Sequence, residues 1–348
     1  MTLQDVVWPN AIPTIAKAVK DICIFILSAC VVFAANTSEP KPPGKLVDLG
    51  GHRIHVNCTG KGSPTVVVEN GLGDFSFDWI LVQARTSPFT RICTFDRAGY
   101  AWSDPGPKPR TFSQLNLELK DALFRAGEQG PFVLVGHSYG GPVVRNFATT
   151  YPHEVAGMVL VDAAFEGQRV GIGGKTMIRL GGEAKGRSIP PPHEGTSGLD
   201  RPLVRAEDLP AKLKALDPMY LVLPPDEQKM HLWAQGLPAL YDAENSQREW
   251  SEEYFAKWLA TPQAGTLGTT PLIVLTRADG GYSDGDYDIP AAQLEKERKE
   301  GQARLALLST NSRQVIVHSG HNMELEAPDD VTAAIRKVVD VARHHGKL

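Results

Sequence analysis

The sequence predicts an α/β protein: a mostly parallel sheet with helices on both faces and a segment inserted late in the chain. Three observations carry this. Short apolar runs alternate with helix-length amphipathic stretches along residues 46–162 and again along 269–348. One run, Val133-Leu134-Val135, breaks straight into Gly136-His137-Ser138-Tyr139-Gly140-Gly141, a strand that turns at once into a helix. Between the two series, residues 163–268 lose the rhythm and carry many Gly and Pro, which reads as a cap inserted into the core.

The N-terminus stands apart. Lys17 and Lys20 precede a run of apolar and small residues at 22–35, short of the roughly 18 to 20 residues a spanning helix needs. That pattern suits a secretory signal ending at Val32-Phe33-Ala34, with an uncleaved membrane anchor as the alternative. A Pro-rich linker follows, so residues 1–45 are set apart from the folded body and the protein is expected to be exported or membrane-anchored.

Residues 46–49 and 52–58 read as strands joined by Gly50-Gly51. Thr65–Glu69 is a short buried strand opening into Asn70-Gly71-Leu72-Gly73. Arg91–Phe95 is the next strand, and Ser113 starts a helix to about Gln129 with Leu115, Leu119, Ala122 and Leu123 on one face. The strand at 132–135, the helix after Gly140 and the strand at 155–161 follow in turn. After the insertion come a strand at 271–276, a helix near 290–310, a strand at 313–318 and a last helix opened by Pro328.

Composition excludes several classes. The 348 residues carry a formal charge of -4, with 42% hydrophobic and 22% charged residues, ordinary for a globular enzyme. With no basic block, nucleic acid is not expected as a partner. None of the four cysteines has C-x-x-C spacing, so no metal site is expected.

The chemistry centres on Gly136-His137-Ser138-Tyr139-Gly140. A turn this tight leaves no room for side chains beside the serine and lifts its hydroxyl above the sheet. Serine needs a base to take its proton and an acid to orient that base. His321, in the loop after a late strand, is the candidate base, and His137 is expected to point away from the serine. For the acid, Asp279 is favoured and Asp162 is the alternative, since each ends a strand on the same face. The oxyanion would be held by the backbone N–H groups of Tyr139 and Leu72. Trp250, Tyr254 and Trp258 recur every fourth residue, a helix face that is either cap core or an apolar wall for the substrate.

Asn70–Gly73, Asp96–Ser103, Gly136–Gly141, Leu160–Ala164 and Ser319–Pro328 together resemble the alpha/beta-hydrolase superfamily, in its serine-esterase-like branch. The resemblance implies an eight-stranded sheet with only the second strand antiparallel, no cofactor, and a small-molecule acyl substrate. It would also bring Cys58 beside Cys93, where export would let them form a disulfide. Asn70 stands where the family's donor loop usually begins with histidine. The function expected is a serine hydrolase cleaving carboxylic esters or related acyl compounds through an acyl-enzyme. An aminopeptidase of the same fold and a non-catalytic small-ligand binder are the alternatives, and membrane association through residues 22–35 stays open.

Overall fold

The computed structural model describes residues 39–195, 216–278 and 280–348. The segment at 22–35 and Asp279 lie outside the described residues. Among those described, no helix is long and apolar enough to cross a membrane. The chain divides into two units, 1–41 and 42–348, and everything below concerns the second.

Among the described residues ten strands form there. The main sheet holds β1 (Lys45–Asp48), β2 (Arg53–Thr59), β3 (Val66–Glu69), β4 (Ile92–Phe95), β5 (Phe132–His137), β6 (Val155–Val161), β9 (Leu272–Arg277) and β10 (Ser312–Val317). Their order is β1-β2-β4-β3-β5-β6-β9-β10. Only β2 runs against the rest: it is antiparallel to both neighbours, whereas every other pair is parallel. The expected strands are all present, their ends shifted by one or two residues. At the first hairpin Asp48 Oδ1 accepts the N–H groups of Gly50 and Gly51 at 2.8 and 3.3 Å. Gly50 sits at φ 89°, which glycine adopts without strain.

The central strands are buried on both faces, so alternate residues feed two separate apolar layers. Val67, Leu134, Leu160 and Val274 face one layer. It is closed by α2 (Phe112–Ala126), α3 (Gly140–Thr150) and α6 (Ala291–Ala306), through Leu119, Leu123, Val144, Phe147 and Leu305. Val66, Val68, Val135, Val159 and Ile273 face the other layer, which α1 (Ile80–Thr86) and α8 (Pro328–His344) close through Val82, Val331, Ile335 and Val338.

The helix ends carry their own stop signals. Thr111 caps α2 by accepting the Gln114 N–H, and Gly127 ends it in the left-handed region at φ 92°. α8 begins with Pro328, Asp329 and Asp330 and ends with Arg343 and His344, acidic first and basic last as the helix dipole favours.

Residues 169–179 form a small hairpin of β7 (Arg169–Gly173) and β8 (Thr176–Arg179). Farther on come α4 (Pro225–Gln235) and α5 (Pro238–Leu259). Leu240 and Ala243 of α5 pack on Phe75, Phe77 and Tyr100, and Tyr254 and Phe255 on Phe112 and Tyr139. The inserted helices therefore lie over the loops at the C-terminal ends of β3, β4 and β5. A disulfide joins Cys58 and Cys93, paired across β2 and β4 with their Cα atoms 4.0 Å apart.

Candidate active site

β5 delivers its last residue into a turn with almost no free volume. A Cβ on Gly136 would lie 2.7 Å from the Gly140 carbonyl oxygen, and one on Gly140 would lie 2.2 Å from that of Glu69. A Cβ on Gly141 would lie 2.3 Å from the Ala163 methyl. Between these glycines Ser138 sits at φ 48°, a left-handed conformation that costs a non-glycine residue about 1–3 kcal/mol. Neighbouring strands hold it there. The Ser138 N–H donates to the Val161 carbonyl at 3.1 Å, and its carbonyl accepts the N–H groups of Gly141 and Ala164 at 3.1 and 2.9 Å.

The Ser138 Oγ lies 3.0 Å from His321 Nε2, and His321 Nδ1 lies 2.7 Å from Asp162 Oδ2. A carboxylate only accepts, so Nδ1 carries the proton and Nε2 is left to take one from the serine. The His321 side chain is 45% exposed while that of Asp162 is 5% exposed: the base faces solvent and its acid is enclosed. Asp162 is also at positive φ, 35°, and its N–H donates to the Leu275 carbonyl at 2.9 Å, which turns its side chain back over the sheet.

The described carboxylate on His321 is Asp162, the alternative acid, and the favoured Asp279 lies outside the described residues. Asp162 follows β6 directly at positive φ and its carboxylate comes within 2.7 Å of the ring. Sheet order does not decide between the two, because β6 lies beside β5, which leads to Ser138, while β9 lies beside β10, which leads to His321. Chain order could not separate the two, because both fall between Ser138 and His321.

Two arginines flank Asp162: Arg277 Nε at 3.3 Å and Arg298 Nη1 at 3.7 Å. Burial pushes the Asp162 carboxyl up, but the His321 hydrogen bond and the charges of His321, Arg277 and Arg298 outweigh it and hold it below its usual value. Glu295 neutralises the same arginines, 2.8 Å from Arg298 and 3.6 Å from Arg277. Sequence reading assigned these arginines no role; they lie at the end of β9 and on α6 and meet Asp162 only through the fold.

The loop proposed to hold the oxyanion is braced from below. Buried Arg97 donates to the Asn70 carbonyl at 2.8 Å, to the Gly71 carbonyl at 2.5 Å and to Glu69 Oε1 at 2.7 Å. Asn70 Nδ2 donates to the Phe95 carbonyl at 2.9 Å, so asparagine supplies its own side-chain support where histidine is usual. Among the described residues no acceptor takes the Leu72 or the Tyr139 N–H. The clearance at Gly140 sets the Tyr139 turn directly against the carbonyls of Glu69 and Asn70.

His137 points away from the serine, as expected. Its Nδ1 lies 3.1 Å from Asp74 Oδ2 and its Nε2 lies 3.0 Å from the His321 carbonyl oxygen. Burial alone would lower its affinity for a proton, but Glu324 and Asp74 raise it to about 9. Glu324 Oε2 comes within 3.8 Å of Nε2. Both ring nitrogens face acceptors, which leaves no lone pair on His137 for a metal ion.

Trp250, Tyr254 and Trp258 are engaged in packing, with Tyr254 and Trp258 in one apolar cluster with Leu72 and Tyr139. Tyr254 is buried, and its hydroxyl contacts Ser113 Oγ at 2.8 Å and the Ser113 N–H at 3.1 Å. Trp258 stacks on Phe112 and lies 4.3 Å from the Arg145 guanidinium; Trp250 is covered by Arg187 at 4.0 Å. The stripe packs α5 onto α2 and α3, the ordinary fate of aromatics at helical spacing. The cavity beside the base lies elsewhere. It has a volume of about 620 Å³ and is lined by Asp162 and His321 together with Arg277, Arg298, Tyr282 and Tyr287.

Residues 66–335 match the model of the alpha/beta hydrolase family. Lipase LipV of Mycobacterium tuberculosis is 27% identical over 290 residues, 81% of this chain and 96% of that one. The uncharacterized protein YqjL of Bacillus subtilis is 35% identical over 105 residues, 30% of this chain. The chain spans only 18 to 42% of the length of the first four curated relatives it matches. Among solved structures, a thermophilic esterase from Thermogutta terrifontis superposes with a TM-score of 0.55 at 20% identity, covering 84% of this chain and 94% of that one. A serine hydrolase involved in carbazole degradation superposes with a TM-score of 0.57 at 16% identity, covering 85% and 98%. At these identities the likeness is one of fold.

Proposed function

Because the chain belongs to the alpha/beta hydrolase family, we propose that it is a serine hydrolase cleaving carboxylic esters through an acyl-enzyme. The observation that carries this is the relay from Ser138 Oγ to His321 Nε2 at 3.0 Å and from His321 Nδ1 to Asp162 at 2.7 Å, on a serine held at φ 48°.

His321 takes the Ser138 proton as Oγ attacks the ester carbonyl. The N–H groups of Leu72 and Tyr139 receive the negative oxygen of the tetrahedral intermediate. Asp162 stabilises the imidazolium without itself taking the proton. His321 then protonates the departing alcohol, and water activated by the same ring hydrolyses the acyl-serine. Serine at position 138 speaks against haloalkane or epoxide hydrolysis, which in this fold use a carboxylate nucleophile. The described helices α4 and α5 serve as the cap over this site, and the Cys58–Cys93 disulfide supports a body that works outside the reducing cytosol.

The test is p-nitrophenyl ester hydrolysis across acyl lengths, with Ser138→Ala as control and a fluorophosphonate probe for the serine. Turnover and labelling that disappear with the substitution support the reading. Absence of both in the unaltered protein refutes it.

A further inference from the structure

Three segments of the candidate site converge on one buried side chain. His137 is the last residue of β5, directly before Ser138, and its side chain is 1% exposed. Asp74, on its Nδ1 side, belongs to the loop that carries Leu72. The His321 carbonyl, on its Nε2 side, belongs to the loop that carries the base. A carbonyl oxygen cannot donate, so Nε2 must; a carboxylate opposite Nδ1 calls for a second proton there. The ring needs two protons to satisfy both partners.

The surroundings are shaped to that pair. A Cβ on Gly71 would lie 2.2 Å from Asp74 Oδ2 and 2.9 Å from His137 Nδ1, so the donor loop has glycine where the pair needs the space. Glu324, on α7 (Met323–Glu326), keeps one oxygen without a hydrogen-bond partner 3.8 Å from Nε2, and Asn322 donates to the other at 3.1 Å. The His321 ring lies 4.8 Å from the His137 ring.

We propose that His137 is a positioning residue: an imidazolium that donates from both ring nitrogens and so locks the loop carrying His321 to the loop carrying the Leu72 donor. This rests on the serine-hydrolase reading above. One buried cation then sets the separation between base, nucleophile and oxyanion donor. In its absence the His321 loop loses the donor to its carbonyl, and the base is misplaced relative to Ser138. Misplacement of about 1 Å costs on the order of 100-fold in rate. The titratable groups facing the ring are Asp74 from the donor loop, Glu324 from α7 and His321 from the base loop, with Asp78 and His231 behind Asp74.

The test compares His137→Gln and His137→Asn in the full chain. Glutamine can place its amide N–H near the position of Nε2 and keep the donor to His321; asparagine reaches only toward Asp74. Ester kcat and KM, the rate of Ser138 phosphonylation by a fluorophosphonate, and the alkaline limb of activity are measured on each. His137→Asn should lower kcat and phosphonylation about 100-fold with KM within about twofold, and His137→Gln should recover about tenfold of that. Unaltered protein should lose activity as pH rises through about 9, and His137→Gln should not. In parallel, ¹⁵N-histidine NMR of the unaltered protein at pH 7.5 should show a buried ring with both nitrogens protonated, a readout that holds even where a variant fails to fold. A neutral ring, or a folded His137→Asn labelled at the rate of the unaltered protein, overturns the inference while leaving the hydrolase reading intact. Unaltered protein that neither turns over nor labels overturns both.

Discussion

Asp162→Asn tests the assignment of the acid most directly. The replacing amide can turn its NH2 toward His321 Nδ1, which forces that nitrogen to accept and moves the ring proton to Nε2. Nε2, 3.0 Å from Ser138 Oγ, then has no lone pair for the serine proton. In triads of this kind the change lowers kcat about 10⁴-fold, about 5.4 kcal/mol of transition-state stabilisation. A second effect falls on stability. Coulomb attraction across the 3.3 Å between Arg277 and Asp162 is about 5 kcal/mol at an effective dielectric near 20. Glu295 still neutralises one of the two guanidiniums, so one buried positive charge is left over, costing ~3 kcal/mol. At about 2 °C per kcal/mol for a chain of this size, Tm should fall by about 6 °C. The assay is p-nitrophenyl ester hydrolysis and thermal unfolding of Asp162→Asn beside Asp279→Asn. Asp162→Asn that keeps more than a tenth of the activity, with Asp279→Asn inactive, would refute the assignment and return the acid to the strand end after β9.

Three further outcomes are expected. Gly140→Ala places a methyl 2.2 Å from the Glu69 carbonyl oxygen; neither backbone can yield, so soluble yield and activity should both collapse, measured by expression and by fluorophosphonate labelling. Cys58→Ser should destabilise by about 4 kcal/mol from the loop it opens, with a sequence separation of 35, and peptide mapping without reductant should recover Cys58 and Cys93 as one linked pair. Stability should decline from about pH 7 to pH 9. The raised affinity of His137 stabilises the folded state fully below its ordinary value of 6.5 and is lost as pH rises through about 9. Glu324, driven up by burial to about 7, also costs stability as it loses its proton, but earlier, as pH rises from its ordinary 4.5 to about 7. Thermal unfolding across pH 6 to 10 checks this, and a Tm that rises over that window would contradict it.

The eight strands of the main sheet, the four helices that cover most of it and the pairing of Ser138 with His321 were legible from residues alone. Local chemistry decides them: buried strands must be apolar on both faces, a strand-to-helix turn must be glycine, and a base must follow a late strand. Other assignments needed the fold, because they depend on which side chains the packing brings together. Asp162 and Asp279 both end strands and both lie between Ser138 and His321, and Asp162 is picked out by the 2.7 Å contact of its carboxylate with the ring. Trp250, Tyr254 and Trp258 share a helix face in the sequence, but what that face meets is decided by how α5 crosses α2 and α3. Arg97 stood in a quoted motif without a stated task, and its three bonds beneath the donor loop appear only once β3 and β4 lie side by side. Periodicity records which way a side chain faces along its own element. The partner it meets is set by long-range packing, and for this protein that packing decides the acid, the arginines around it and the buried histidine beside the nucleophile.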